Sequence, residues 1–453
     1  MDARVAEGDP DDSERYPTLS EAGARMLAFM RDHACAPLWR NRSGNRLRAE
    51  DVARVKAFEA EMAGAEIAWR VGEPPAWVAD CVEAAYAEVP FFRRQGAPPR
   101  RFEDVPPCTR ADLARDVAAF VPDGVPLERM MFFDTSGATG HPLRVPSHPV
   151  VAASYLAFHK RALRRAGVEL THGAGQVGVV LLGHQRRCFT YVSVTPTMGE
   201  SGLAKINLHP DDWRDPDDRA RYLEAMAPEV VAGDPLSFGA LLGLDVALRP
   251  RAILSTAMAL TAGMRAALEA RFGCPVLDVY SMNEAGPIGV FDARAGGHAL
   301  LQPRLYVEIV DAGGRALPAG ERGEIVLTGG FNPYVPLLRY RTGDFAALRE
   351  DRVLVGLAGR RPVRFRAADG SWRNNVDVTH ALERFAIAQW QLHQAADGAL
   401  ALRVLGGETM RDAIRAAVEA LFGAGTRLAV DDLVPPEGGK VLQYTSDLVE
   451  AEL

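Results

Sequence analysis

The sequence lacks a CxxC pair, a hydrophobic run of about 18 residues, a Walker A lysine and any excess of basic charge. Each absence removes a class of protein. The five cysteines, Cys35, Cys81, Cys108, Cys188 and Cys274, are scattered and odd in number. That suits no disulfide framework and fits thiols kept in a reducing compartment. Without an apolar run of about 18 residues no transmembrane helix is expected. The opening stretch, with Asp2, Glu7, Asp9, Asp11, Asp12 and Glu14, has no basic-then-apolar order of a signal peptide. A soluble cytoplasmic protein with an acidic N-terminal tail is expected. Lys and Arg number 52 against 59 Asp and Glu, a net charge of -7. Nucleic acid is therefore not expected as a partner, because phosphate binding needs a basic surface. A local basic pocket for a nucleotide remains compatible. His148, His159 and His172 show no metal-ligand spacing.

What is present is ordinary globular material. The 453 residues, 48% hydrophobic and 25% charged, imply more than one folding unit and a sizeable core. The first 120 or so residues read as mainly helical by apolar spacing. Thr18-Leu-Ser-Glu21 forms a capping-box pattern ahead of Met26, Leu27 and Met30. Further helices are expected over Val52, Val55, Phe58 and Met62, and from Pro75 to about Val89. Short apolar runs at 176–182, 229–232, 252–254 and 275–280 read as strands buried on both faces. Between them, Met264, Leu268 and Phe272 share a helix face, with Gly273 as its stop. This alternation predicts an α/β fold whose sheet is mostly parallel and flanked by helices. Residues 305–311 and 323–328 read as an antiparallel hairpin. A small α+β unit follows, with strands near 399–405 and 428–433 and a helix at 408–422. The expected division is an N-terminal helical extension at 1–74, a large domain at 75–358 and a small mobile C-terminal domain at 359–453.

Four motifs carry chemistry. Asp134-Thr-Ser-Gly-Ala-Thr-Gly-His-Pro142 places glycines among hydroxyls after an apolar run, a composition that can cradle phosphate. It equally describes a flexible turn, and no lysine follows Gly140 as a Walker A loop requires. Asp278-Val-Tyr-Ser-Met-Asn-Glu-Ala-Gly-Pro287 sets Glu284 just beyond a strand, where a carboxylate can hold Mg²⁺ or simply face water. Pro336-Leu-Leu-Arg-Tyr-Arg-Thr-Gly-Asp344 ends in an aspartate suited to a ribose or to a turn. Gly438-Gly-Lys440 puts a lysine on a glycine-rich loop.

In order and spacing, the four together resemble the adenylate-forming superfamily of acyl-CoA synthetases, peptide-synthetase adenylation domains and luciferases. The loop is similar to TSGTTGxP, Tyr280–Pro287 to Y-G-x-T-E-x-G, and Tyr340–Asp344 to Y-R-T-G-D. Ala85–Phe92 and Phe102–Leu113 look like the "AYxxVPFY" and "LPxxTKxDL" segments of the phenylacetate–CoA ligase-like and CapK branch. Val231-Ala-Gly-Asp-Pro235 is similar to that branch's "xxGxP" strand end. The resemblance implies ATP and Mg²⁺ as cofactors, with CoA as a candidate co-substrate. It implies Thr135, Ser136, Gly137, Thr139 and Gly140 at the β- and γ-phosphates. It puts Ser255, Thr256, Ala257 and Tyr280 at adenine, Asp344 at ribose, Glu284 on Mg²⁺, Arg360 as a catalytic arginine near the ribose or phosphate, and Lys440 at the α-phosphate and attacking carboxylate. His184, Phe189 and Tyr191, after a buried strand, are candidates for an aromatic-acid pocket; strand-end packing explains them equally well.

Three departures from the family pattern stand out. Ala138 replaces a loop threonine and His141 stands where relatives carry a cation. Ser255-Thr-Ala257 replaces a GxE segment. Arg361-Pro362-Val363 replaces the hinge carboxylate of GRxDD. The expected activity is formation of an acyl-adenylate from a small acid, with pyrophosphate release and transfer to a thiol such as CoA. The altered hinge keeps open an amine, a hydroxyl or a carrier protein as acceptor, or another small oxyanion as substrate. The weakened loop keeps open a nucleotide-binding interaction protein without catalysis. Retention of Glu284, Asp344 and Lys440 together opposes that last alternative.

Overall fold

The computed structural model describes residues 11–134, 143–359, 363–436 and 441–448. The apolar runs become the middle of a large mixed sheet. Strands Ser201–Asn207, Val177–Gly183, Val230–Gly233, Ala252–Ser255 and Val276–Met282 lie side by side and parallel. Tyr191–Thr195 closes one edge antiparallel to Ser201–Asn207. Beyond Val276–Met282 the sheet continues antiparallel through Gly286–Asp292, Gly297–Leu300, Val353–Gly359, Leu337–Leu348, Arg322–Gly329 and Leu305–Val310. The fold is thus mixed α/β, its parallel half as expected and continuous with the hairpin region.

Alternation along the parallel strands explains why both faces are apolar. Val180, Leu182, Val231 and Ile253 point into a core shared with Met26 and Met30 of helix Glu21–Arg31, Phe238 of Pro235–Leu242 and Leu268 of Ala262–Phe272. Val230, Ala252, Leu254 and Leu277 point the other way, against Phe158 and Ala162 of Pro149–Arg165 and Met62 of Ala49–Gly64. Helix Ala262–Phe272 ends as expected on Gly273, whose φ of 66° is left-handed. The antiparallel half packs Val78, Val82 and Tyr86 of helix Ala76–Glu88. Arg339, 2% exposed, fastens the preceding chain to this half. Its guanidinium donates to the carbonyls of Glu103, Val105 and Gly314 and lies 3.4 Å from Glu308.

One local expectation is corrected. The first long helix starts at Glu21 with Ser20 as its cap, accepting from Gly23 N at 3.2 Å. Thr18 instead reaches the Leu47 carbonyl at 3.4 Å. The Ser20 N–H is taken by Glu200, which fixes the helix entrance two residues later than the capping-box pattern places it.

Side chains from Phe365 to Phe422, together with Tyr444, form a separate hydrophobic cluster. Strands Leu428–Asp432, Leu400–Gly406, Ile387–Gln394 and Tyr444–Ser446 pair in that order, covered by helices Asn375–Leu382 and Arg411–Phe422. This unit meets the large sheet's helices through backbone. Gly263 N donates to Glu383 O at 2.9 Å and Thr261 Oγ1 donates to Phe385 O at 2.9 Å. A Cβ on Gly263 would lie 2.2 Å from the Phe385 carbonyl carbon. No helix among the described residues is long and apolar enough to cross a membrane.

Gly263→Ala is expected to lower unfolding free energy by about 1–3 kcal/mol, the cost of overpacking a closed contact. An unchanged urea midpoint and slope would contradict the contact. Burial also pushes the His159 imidazole down to about 4 from 6.5. The unfolded chain then takes a proton that the folded one refuses. Stability is complete above pH 6.5 and falls as pH drops towards 4, by up to about 3 kcal/mol. His159→Phe should flatten that part of the stability-against-pH curve; an unaltered slope would sink the assignment.

Candidate active site

The C-terminal ends of parallel strands expose backbone groups to a crevice, the usual ligand position in such sheets. Here that edge is formed by Gly183, Gly233, Ser255 and the turn after Met282. Ser255 pairs with Asp278 on one side and Gly233 on the other. Its hydroxyl is buried and has no partner. Thr256 N donates to Gly233 O at 2.9 Å, and Ala257 follows with φ of 69°, a left-handed backbone that turns the chain across the strand ends. Such a conformation in a non-glycine residue is a stored strain found often at ligand clamps.

Glu284 sits in the three-residue turn between Val276–Met282 and Gly286–Asp292, whose register pairs Met282 with Gly286. Gly286 has φ of 72°, and a Cβ there would meet the Phe331 ring at 2.4 Å, so only glycine closes this turn. Gln302 Nε2 donates to the Ala285 and Pro287 carbonyls at 2.6 and 2.8 Å and fixes it from below. Tyr155 OH donates to Asn283 O at 2.6 Å. Glu284 is only 2% exposed. The Tyr340 phenol donates to its Oε1 at 2.6 Å, and the Arg110 guanidinium lies 3.5 Å from the same oxygen. Burial, reinforced by the Glu284 charge, holds the Tyr340 phenol far above its ordinary range, so it stays a donor.

A second tyrosine–carboxylate pair lies on the same strands. The Tyr280 phenol donates to Asp344 Oδ2 at 2.8 Å, and burial followed by the Asp344 charge raises its pKa well above normal. Asp344 follows Gly343, with φ of 79°, and pairs across the sheet with Gly359. The Gly343 N–H is taken by Glu324, and Asp344 N donates to Thr342 Oγ1 at 3.1 Å. Each carboxylate thus accepts from a phenol carried by a strand several removed in the sheet order.

Tyr280, Glu284 and the Ser255–Ala257 segment lie on or just beyond two adjoining strands, and the Tyr280 phenol ties Asp344 to them. Phe189 and Tyr191 meet edge to face at 5.5 Å on the other side of the parallel half. His184 lies against His209, ring centroids 5.8 Å apart, with its Nδ1 buried and unpartnered. Burial lowers the His184 pKa and pushes Tyr191 up to about 12. Thr135, Ser136, Gly137, Thr139, Gly140, Arg360 and Lys440 lie outside the described residues. Arg110, Tyr155 and Tyr340 are additions that the sequence did not assign. Tyr340 stood inside a quoted motif, whereas Arg110 follows the cap Thr109 of a short helix and looks like a surface residue.

No group of three or more His, Cys, Asp or Glu that could hold a metal occurs among the described residues. Glu284 alone fits an ion that keeps most of its ligands as phosphate oxygens and water, as Mg²⁺ does. Its carboxylate is held at the crevice by a neutral phenol and one guanidinium. Removing the phenol in Tyr340→Phe is expected to cost about 1.5–3 kcal/mol, the worth of a hydrogen bond to a charged group. Urea unfolding measures this, and a loss below about 0.5 kcal/mol would show the bond to be slack.

Residues 129–332 match the family model described as AMP-binding enzyme. The chain is 26% identical over 289 residues to the phenylacetate-coenzyme A ligase of Escherichia coli (strain K12), covering 58% of this chain and 64% of the relative. It is 35% identical over 109 residues to the same-named protein of Aromatoleum evansii, covering 22% and 25%. The chain thus spans about a quarter of one of these curated relatives and under two thirds of the other. Among solved structures, 2-hydroxyisobutyryl-CoA ligase in its postadenylation state matches with a TM-score of 0.59 and 18% identity, over 87% of this chain and 90% of that one, a likeness of fold. Residues 129–332 thus match the AMP-binding enzyme family, and the chain is similar to phenylacetate-coenzyme A ligases over part of its length.

Proposed function

We propose that this chain is an AMP-forming acid ligase that activates a small carboxylic acid with ATP. The observation that carries this is the convergence of two phenol-held carboxylates, Glu284 and Asp344, at the strand-end crevice of an AMP-binding domain. A carboxylate oxygen of the acid attacks the α-phosphorus. The bond from that phosphorus to the oxygen bridging to the β-phosphate breaks, and pyrophosphate leaves. A thiol such as CoA then attacks the acyl carbon, and AMP departs with the carboxyl oxygen. The chemical demand is neutralisation of a polyanion and alignment of a weak nucleophile.

Asp344 is assigned to the ribose hydroxyls, and Tyr280 with the Ser255–Ala257 backbone to adenine. Thr135, Ser136, Gly137, Thr139 and Gly140 are assigned to the phosphates. Glu284 is the residue to hold Mg²⁺, which would offset charge on phosphate oxygens. Arg110, beside Glu284, adds a further cation to that side. Arg360 is assigned near the ribose or phosphate, and Lys440 to the reacting carboxylate and α-phosphate, lysine serving as a compact charge on a flexible stem. His184, Phe189 and Tyr191 are assigned to the acid. Residues 359–453 are taken as the small domain that carries Lys440, and residues 1–74 as an extension.

The backbone docking of Gly263 and Thr261 on residues 383–385 favours a second reading, in which the small domain turns little and the acceptor is an amine or hydroxyl. Pyrophosphate release with a panel of aryl, arylacetic, amino-aryl and short aliphatic acids, with and without CoA, separates the readings. Release without CoA is expected, and silence across the panel with ATP still bound would overturn the ligase assignment. Acyl-CoA by mass supports the thiol acceptor, whereas accumulating adenylate supports the other. Lys440→Ala should abolish adenylation while ATP still binds, and Glu284→Gln should raise the Mg²⁺ needed for half-maximal rate. Normal rates at limiting Mg²⁺ would remove Glu284 from that role.

A further inference from the structure

The N-terminal extension does more than cover the sheet. After helix Glu21–Arg31 the chain runs without regular structure to residue 48, and from 38 to 45 it lies along the edge strand Tyr191–Thr195 and the loop before it. Leu38 N donates to Asp212 O at 2.7 Å. Arg40 N donates to Thr190 Oγ1 at 3.0 Å, Asn41 N donates to Thr190 O at 3.1 Å, and Thr190 N donates back to Asn41 Oδ1 at 3.1 Å. The Tyr16 hydroxyl lies 2.8 Å from Ser43 O and 3.0 Å from Val192 O, and Asn45 Nδ2 donates to Val194 O at 3.3 Å. The Val192 and Val194 carbonyls, which an edge strand would otherwise offer to water, are taken by the Tyr16 and Asn45 side chains.

A second chain of bonds leads from the same segment to the other root of the loop. The Arg40 guanidinium donates twice to Asp212 Oδ1, at 2.8 and 2.6 Å. Asn207 Nδ2 donates to Asp212 Oδ2 at 2.8 Å and to Gln185 O at 2.7 Å, while its Oδ1 accepts from Gln185 N at 3.1 Å. Thr190 and Asn207 are fully buried and Asp212 is nearly so. The loop is therefore gripped at Gln185 through Arg40, Asp212 and Asn207, and at Thr190 through Asn41. Between the two roots Arg186, Arg187 and Phe189 face solvent. His184 and Tyr191 flank the roots.

We infer that residues 38–45 are part of the acid-binding apparatus, with Arg40 and Asn41 as positioning residues that set the loop carrying His184, Phe189 and Tyr191. The inference rests on the assignment of that loop to the acid. Among the described residues no hydrogen bond or ion pair joins Arg40 or Asn41 to Tyr280, Glu284 or Asp344, so their removal is expected to act on the acid side. An irregular segment with no apolar period can still be decisive, because Arg40 and Asn41 are matched to groups that hold both roots of the loop.

Two measurements on the full-length protein test this. Amide hydrogen exchange over residues 184–192 is expected to quicken at least about tenfold in Arg40→Ala and in Asn41→Ala, with the strand Ala252–Ser255 unchanged. For an acid that the wild type activates, the KM for the acid should rise about tenfold or more while the KM for ATP stays within twofold, and Arg40→Lys should restore part of the loss. Unchanged exchange in 184–192 overturns the positioning role. Equal rises in both KM values overturn the link to the acid and leave a merely structural one. Exchange needs no turnover. If no acid is activated, the ligase assignment fails on the pyrophosphate assay, while the hold on the loop is still decided by exchange.

Discussion

A buried carboxylate is tolerable only when its charge is met, and the site depends on how Glu284 meets that condition. Its two partners come from distant parts of the chain. Tyr340 arrives on the strand Leu337–Leu348, and Arg110 arrives on the short helix after Cys108–Thr109. One strand pairing delivers both. Cys108 and Thr109 run parallel to Tyr340 and Arg341, so the register that places the phenol also places the guanidinium. The same strand, four residues on, carries Asp344 to Tyr280. A shift of one residue there would turn every one of these side chains to the wrong face.

The remaining architecture serves to hold those strands still. Arg339 lies immediately before Tyr340 and is buried against three carbonyls from two other segments. Burial drives the Glu308 carboxyl up even though the Arg339 charge beside it pulls the other way. A guanidinium so enclosed has few ways to move. The turn at Glu284 is closed by Gly286 against Phe331 and by Gln302 beneath it. Preorganised charge of this kind is what the proposed adenylation would draw on to meet a polyphosphate.

Much of this was legible in the sequence, for reasons that differ by element. The strands near 177, 230, 252 and 276 are short apolar runs between polar turns, and burial on both faces leaves a sequence little choice. The stop at Gly273 and the hairpin over 305–328 follow from glycine and turn chemistry. Glu284 and Asp344 were visible because motif spacing reflects strand ends. Arg110 was not, since its role comes from a pairing between segments far apart in sequence, and its local signal, a Thr-x-x-Asp cap, explains it fully. The first helix entrance was misplaced because Glu200, remote in sequence, takes the Ser20 N–H. Residues 38–45 carry no periodicity, and their partners are single atoms on another segment.

The central claim is that the strand-end crevice beside Glu284 and Asp344 holds an acyl-adenylate. A crystal structure with a non-hydrolysable acyl-sulfamoyl adenosine tests it most directly. The account predicts the ribose on Asp344, adenine against Tyr280 and the Ser255–Ala257 backbone, and the acyl group directed towards the His184–Tyr191 loop. Adenosine bound elsewhere, or with Asp344 still closed on Tyr280 and no contact to ribose, would contradict it.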